Sequence, residues 1–199
     1  MKQFIVLLAL LLAACNEDKP PTPPSQWVVG PIVDGVNRSP GVTWNGNGFV
    51  FTTAPPGVHG VTRGVTESGR SSVTANFNID GVASFTEVDC GSPGCVPGAG
   101  QFRHFLQRCG DDWRGAATGK ASFRFYSAPL DLVTGSNGLR VALTADQWTN
   151  VDGQVDIAGF AATLADLCTV GLGFGRMFAM HGVYASNPAQ FILNSYMVE

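Results

Sequence analysis

Over residues 72–79 apolar side chains fall on every second position: Val73, Ala75, Phe77 and Ile79, interleaved with Thr74, Asn76 and Asn78. A period of two puts the apolar set on one face of an extended chain, the pattern of a strand buried on one side. It returns over residues 120–127, where Ala121, Phe123 and Phe125 are expected to point inward and Ser122, Arg124 and Tyr126 to the other side. Leu139, Val141 and Leu143 repeat it. Residues 190–198 are apolar on both faces, with Phe191, Leu193 and Met197 against Ile192, Tyr196 and Val198, which predicts a strand in the interior of a sheet. Turn chemistry separates these runs at Asn45-Gly46-Asn47-Gly48, Pro55-Pro56-Gly57, Asp80-Gly81 and Gly135-Ser136-Asn137-Gly138. Asp80-Gly81 between two strands predicts a hairpin. Only residues 159–168 have helical spacing, through Phe160, Leu164 and Leu167. About ten short strands with regular turns and one short helix predict an all-β fold, a two-sheet β-sandwich of jelly-roll type.

The first residues follow another pattern. Lys2 precedes eleven apolar residues, Phe4 to Ala14, the n-region and h-region of an export signal. A helix that spans a bilayer needs about 18 to 20 apolar residues, so this run is too short to remain as one. Leu12-Ala13-Ala14-Cys15 resembles the lipobox of bacterial lipoproteins. The resemblance implies cleavage before Cys15, a diacylglyceryl group on its thiol and acylation of the new amino group. Residues 1–14 are then a cleaved signal peptide, 15–26 a lipidated Cys15 plus Pro-rich linker, and 27–199 the β-sandwich domain. Each buried methylene contributes about 0.8 kcal/mol, so two or three acyl chains hold a protein firmly to a membrane. Pro20, Pro21, Pro23 and Pro24 keep the linker extended; at about 3.1 Å per residue it reaches ~30 Å, enough to lift a domain off the headgroups. By the sorting habit of enteric bacteria, Asn16 after the cysteine favours the outer membrane.

Composition supports export. Charged residues are 14% of the chain against a typical ~25%, and glycine is abundant at 25 residues. Twelve Lys and Arg stand against 15 Asp and Glu, with no basic stripe, so nucleic acid is not an expected partner. Five cysteines are an awkward odd count for an exported protein. Setting Cys15 aside leaves Cys90, Cys95, Cys109 and Cys168, enough for two disulfides in an oxidising compartment. Of three possible connectivities, the favoured one pairs Cys90–Cys95 around Gly91-Ser92-Pro93-Gly94 and Cys109–Cys168 between distant strands. Zinc would need a second closely spaced pair, which Cys109 and Cys168 do not form, so no metal is expected.

Glu87 and Asp89 share one face of an expected strand and match the first half of the E-x-D-x-E or E-x-D-x-x-E strand of laminarinase-type jelly-roll glycosidases. Retaining hydrolysis needs a second carboxyl about 5 Å from the first. Gly91 and Ser92 occupy the positions that would supply it, so the motif lacks its acid. Of three histidines, His59 and His181 sit in the same tripeptide, His-Gly-Val, while His104 stands apart. With no close-spaced pair, all three read as structural or surface residues. Gly171-Leu172-Gly173-Phe174-Gly175 mimics a dinucleotide loop but leads into a strand-like segment at 178–181, which predicts a β-turn or bulge and no cofactor. No G-x-S-x-G elbow occurs.

The richest stretch runs from His104 to Trp113, followed by Phe123-Arg124-Phe125-Tyr126 and Leu143 to Trp148. Aromatic rings beside Arg and Asp suit sugars, since rings stack on apolar C–H faces and charged groups hydrogen-bond hydroxyls. Trp113, Asp112, Arg124 and Tyr126 are the candidate ligand-binding residues; packing in the core or at its rim is the plain alternative. From about residue 100 onward the order of strands resembles jelly-roll domains of the galactose-binding-like and carbohydrate-binding-module kind. The resemblance rests on Phe123-Arg124-Phe125-Tyr126 and on residues 178–184 leading to 189–198, and residues 27–99 share none of it. It implies a last strand that returns to the first. The expected function is a lipid-anchored envelope protein that binds carbohydrate, a polysaccharide for instance, or another envelope component without catalysis. The alternatives are a structural or assembly lipoprotein acting through protein contacts at a sheet edge, and a glycan hydrolase with its site scattered over loops.

Overall fold

The computed structural model describes residues 26–65, 70–88, 96–175 and 181–199. The expectations for the signal peptide, Cys15 and the linker, for Asp89 and the Cys90–Cys95 pair, and for a strand through 178–180 lie outside the described residues. Within them fifteen strands run in chain order: β1 (Val28–Gly30), β2 (Ile32–Val33), β3 (Val36–Asn37), β4 (Gly48–Val50), β5 (Gly60–Gly64), β6 (Ser72–Asp80), β7 (Phe85–Glu87), β8 (Gln101–Arg108), β9 (Arg124–Ser127), β10 (Leu130–Asp131), β11 (Gly135–Ala142), β12 (Trp148–Thr149), β13 (Leu167–Phe174), β14 (Val183–Ala185) and β15 (Gln190–Val198). One α-helix, α1 (Ile157–Ala165), joins them.

Two antiparallel sheets make an all-β sandwich. Seven strands form one in the order β1-β5-β13-β8-β9-β12, with β10 also on β8, and four form the other in the order β11-β6-β15-β4. Their inner faces meet through aromatic rings. Phe77 of β6 stands edge-on to Phe102 of β8 at 4.9 Å, and Phe191 of β15 to Phe174 of β13 at 6.1 Å. A second apolar cluster, including Leu106, Phe125, Trp148, Val170 and Val198, fills the other end, where Phe160 of α1 packs on Phe125 at 5.2 Å. Asp156 caps α1 by accepting from the Gly159 amide at 2.9 Å. The helix begins two residues before the expected start and ends at Ala165, and Leu167 already belongs to β13.

The alternation over residues 72–79 becomes β6, with Val73, Ala75, Phe77 and Ile79 all buried. β15 is interior as expected, held between β6 and β4 over part of its length. Its register against β6 shifts between Leu193 and Ser195. Asn194 is therefore the extra residue of a β-bulge, which exchanges the inward-facing parity along the strand. Odd residues face the core before it (Phe191, Leu193) and even ones after it (Tyr196, Val198). β15 does not return to β1, which lies in the other sheet.

Four local expectations are corrected. Residues 121–123 form a 3₁₀ turn, and only residues 124–127 are strand, buried on both faces because a loop covers the outer side. Asp80-Gly81 ends β6 without a hairpin, since the next strand, β7, pairs with β14. The hairpin instead forms at Asp34-Gly35, both at positive φ (51° and 78°), between β2 and β3. Gly135-Ser136-Asn137-Gly138 lies inside β11, an edge strand that tolerates glycine. Gly171 and Gly173 lie in mid-strand in β13, and a Cβ at Gly171 would run into the Val61 carbonyl of β5. The Cys109–Cys168 disulfide forms with a Cα–Cα distance of 5.1 Å. As expected, it joins strands distant along the chain, 59 residues apart, which the fold makes neighbours in one sheet. Cys109 follows β8, and Cys168 sits at a register shift in β13, the strand beside it.

Candidate ligand-binding site

On β8, Phe102 and Leu106 face the core between the sheets, so Arg103, Phe105 and Gln107 face outward. On β9, Phe125 faces in, and Arg124 and Tyr126 face out beside Gln107 and Phe105 in the register Gln107↔Arg124 and Phe105↔Tyr126. The outer face of the larger sheet thus carries two arginines, a glutamine, a phenylalanine and a tyrosine side by side. All five are buried; the segment after Cys109 folds back over four of them, Phe105, Gln107, Arg124 and Tyr126, through Trp113 and Asp111.

That segment turns at Gly110 (φ 74°), Trp113 (φ 64°) and Gly115 (φ 58°). A positive φ at a bulky residue is uncommon and costs on the order of 1–3 kcal/mol unless its surroundings impose it. Here the indole lies nearly parallel to Phe105, centroids 5.5 Å apart and planes 17° apart, with the Arg124 guanidinium carbon 4.9 Å from its centroid. Stacking and cation–π attraction hold it there. Trp113 remains half-buried.

Arg124 is fixed from behind by Asp111. Its Nε lies 2.9 Å from Asp111 Oδ2, and the two side chains are only 5% and 0% exposed. The contact is an ion pair rather than an aligned hydrogen bond. Gln107 donates to the same oxygen at 2.8 Å. The neighbouring Asp112, the carboxylate picked from the sequence, does something else. It accepts from the Arg114 amide at 3.0 Å and the Thr118 hydroxyl at 3.1 Å, and it lies 3.3 Å from Lys120 Nζ. Chiefly the backbone hydrogen bond holds its carboxyl below the usual range. Asp112 shapes the loop; Asp111 positions Arg124.

Tyr126 lies beneath the loop with no exposed surface, 5.7 Å from the Phe105 ring. Burial pushes its phenol up to about 12, against the opposing pull of the Arg124 guanidinium beside it. It borders a shallow cavity of about 230 Å³ shared with Arg103, Asp146 and Gln147. Burial lowers Arg103 to about 10, partly offset by Tyr126 and Glu87.

A separate cavity of about 230 Å³ opens beside Trp113 and Arg124. Pro31, Val33, Arg38, His59 and His181 complete its lining. The β2–β3 hairpin forms one wall, and Asp34 at its turn meets Arg114 at 3.1 Å. The two His-Gly-Val tripeptides converge here. Val58 and Val183 exchange backbone hydrogen bonds at 2.8 and 2.9 Å, which brings the two segments side by side. A Cβ at Gly182 would lie 2.9 Å from His59 Nε2, so the close approach requires glycine there. His59 Nε2 is 3.1 Å from the Pro56 carbonyl. Among the described residues the lining contains no carboxylate. Arg38 is exposed, and its side chain makes no ion pair or hydrogen bond among the described residues.

Of the four candidates, Trp113 and Arg124 line this cavity, Asp112 braces the loop beside it, and Tyr126 lies under the loop at the other cavity. Arg38, Asp111, His59 and His181 were not among them, although the repeated tripeptide was a visible sign of the last two. Glu87 is buried in β7 with Oε2 3.3 Å from the Gly98 amide. Among the described residues no cluster of three His, Cys, Asp or Glu could hold a metal ion. No protein-family model matches the chain, and no curated protein is detectably similar to it.

Proposed function

We propose that the protein is a lipid-anchored envelope protein, held to the outer membrane through Cys15, whose β-sandwich binds carbohydrate without catalysing its turnover. The observation that carries the binding reading is the cavity beside Trp113: a half-buried indole, a guanidinium braced by a buried carboxylate, and two imidazoles around a space of about 230 Å³. Such a space is below the ~300 Å³ that whole drug-sized ligands occupy, and it suits one sugar ring at the end of a chain. The indole supplies a stacking face and the arginines supply forked donors for hydroxyls. Glycan arrays probed with the full chain in detergent should show binding that Trp113→Ala removes. Absence of binding to any polysaccharide, including the host's own, overturns the reading. Cys15→Ala should abolish acyl labelling and release the protein from membranes, and retention of both would sink the anchor.

A second reading, an assembly lipoprotein acting through protein contacts, is favoured by β11, whose outer edge has no neighbouring strand among the described residues. A crosslinked protein partner that persists in Trp113→Ala would support it.

A further inference from the structure

The charges around the Trp113 cavity say more than that a sugar fits. We infer that the cavity takes a sugar bearing a carboxylate, an inference that rests on the carbohydrate-binding reading of the same site. Among the described residues four cationic or protonatable side chains line the space, Arg38, Arg124, His59 and His181, against no acidic one. Asp111 offsets one of these charges, but from behind, on the Nε side of Arg124. The rest of the guanidinium borders the cavity and also interacts with the buried Tyr126 hydroxyl. Arg38 has no counter-ion among the described residues. The nearest acidic side chains in the covering loop and hairpin are already engaged, Asp112 by Lys120 and Asp34 by Arg114. This arrangement repels cations and presents two guanidinium groups to the space. Neutral hydroxyls do not need two such groups, whereas a planar carboxylate matches their geometry, each oxygen accepting a charge-assisted hydrogen bond. The pyranose ring then rests on the apolar part of the lining, Trp113, Pro31 and Val33.

Calorimetric titration of the full chain in detergent tests this with D-glucuronate, D-galacturonate and N-acetylneuraminate, each beside its methyl ester. Esterification keeps the ring and removes the charge. At least one acid should bind roughly tenfold or more tightly than its ester, the range expected for a charged hydrogen bond. Arg38→Gln should remove that difference, so that acid and ester bind alike. Because Arg38 is exposed, this variant does not endanger folding. Equal binding of acid and ester by wild type, or a preference retained in Arg38→Gln, overturns the inference and leaves the carbohydrate reading standing. Binding confined to galactose 6-sulfate replaces the carboxylate with another anion and also overturns it. Loss of binding to all sugars here and on the glycan array overturns the carbohydrate reading itself.

Discussion

Acidification should destabilise this protein through one side chain, His104. From β8 the imidazole reaches between the sheets, with Nε2 3.0 Å from the Leu139 carbonyl of β11 and the ring edge-on to Tyr196 at 5.5 Å. A carbonyl only accepts, so Nε2 carries the proton and Nδ1 is the bare nitrogen. Nδ1 is buried with no partner among the described residues. Protonating it would create a cation facing no acceptor, and burial accordingly lowers the imidazole to about 4 from its ordinary 6.5. The unfolded chain takes up this proton more readily than the folded one, so its contribution to stability is whole above about pH 6.5 and falls away as pH drops toward 4. That interval, at about 1.4 kcal/mol per pH unit, amounts to roughly 3 kcal/mol, a large part of the 5–15 kcal/mol typical of a domain. The carboxyls of Asp112, Asp146 and Asp156 lie below their usual range, so their loss of stability comes at lower pH. Urea unfolding of the full chain in detergent between pH 7.5 and 4, with wild type beside His104→Gln, isolates the effect. The glutamine amide keeps a donor for Leu139 but does not titrate. Wild type should lose roughly 3 kcal/mol across the window and the variant little. A variant that loses as much as wild type refutes the assignment of the proton to His104.

Other perturbations separate neighbouring roles. Asp111→Ala strands the Arg124 charge in a buried setting and should cost about 3–5 kcal/mol, whereas Asp112→Ala should leave the unfolding midpoint close to wild type; equal losses would contradict the division between them. Cys109→Ser with Cys168→Ser opens a link across 59 residues of sequence, for which chain entropy gives about 4 kcal/mol, read as a lower urea midpoint against the oxidised protein. Gly171→Ala places a methyl group against the Val61 carbonyl and should lower stability by about 1–3 kcal/mol, measured by thermal melting.

How much was legible depends on how local each cause is. β6 was readable because its inward and outward residues meet different environments, so burial wrote the period of two directly into its composition. β9 was not, because the loop that covers its outer side is held by Asp111 and Trp113, and no periodicity within β9 reports that cover. Asp80-Gly81 and Asp34-Gly35 are the same dipeptide with different outcomes. After Gly35 the chain returns along Ile32 and Val33; after Gly81 it departs for β7, whose partner is β14. The site divides in the same way. Trp113 and Arg124 stood out by local composition, while Arg38, His59 and His181 come from three separated segments that meet only once the strands are paired. Choosing Asp112 over Asp111 was a choice between adjacent carboxylates, and only the direction of each side chain distinguishes them.

The bulge in β15 has a consequence for chain length. In an ordinary strand, removing one residue turns every later side chain to the opposite face. At Asn194 the strand carries one residue more than its pairing with β6 consumes. A chain lacking it would still present Phe191, Leu193, Tyr196 and Val198 to the core, now in uninterrupted register. Halfway along an interior strand, the protein thus holds a spare position where single-residue deletion and correct burial are compatible.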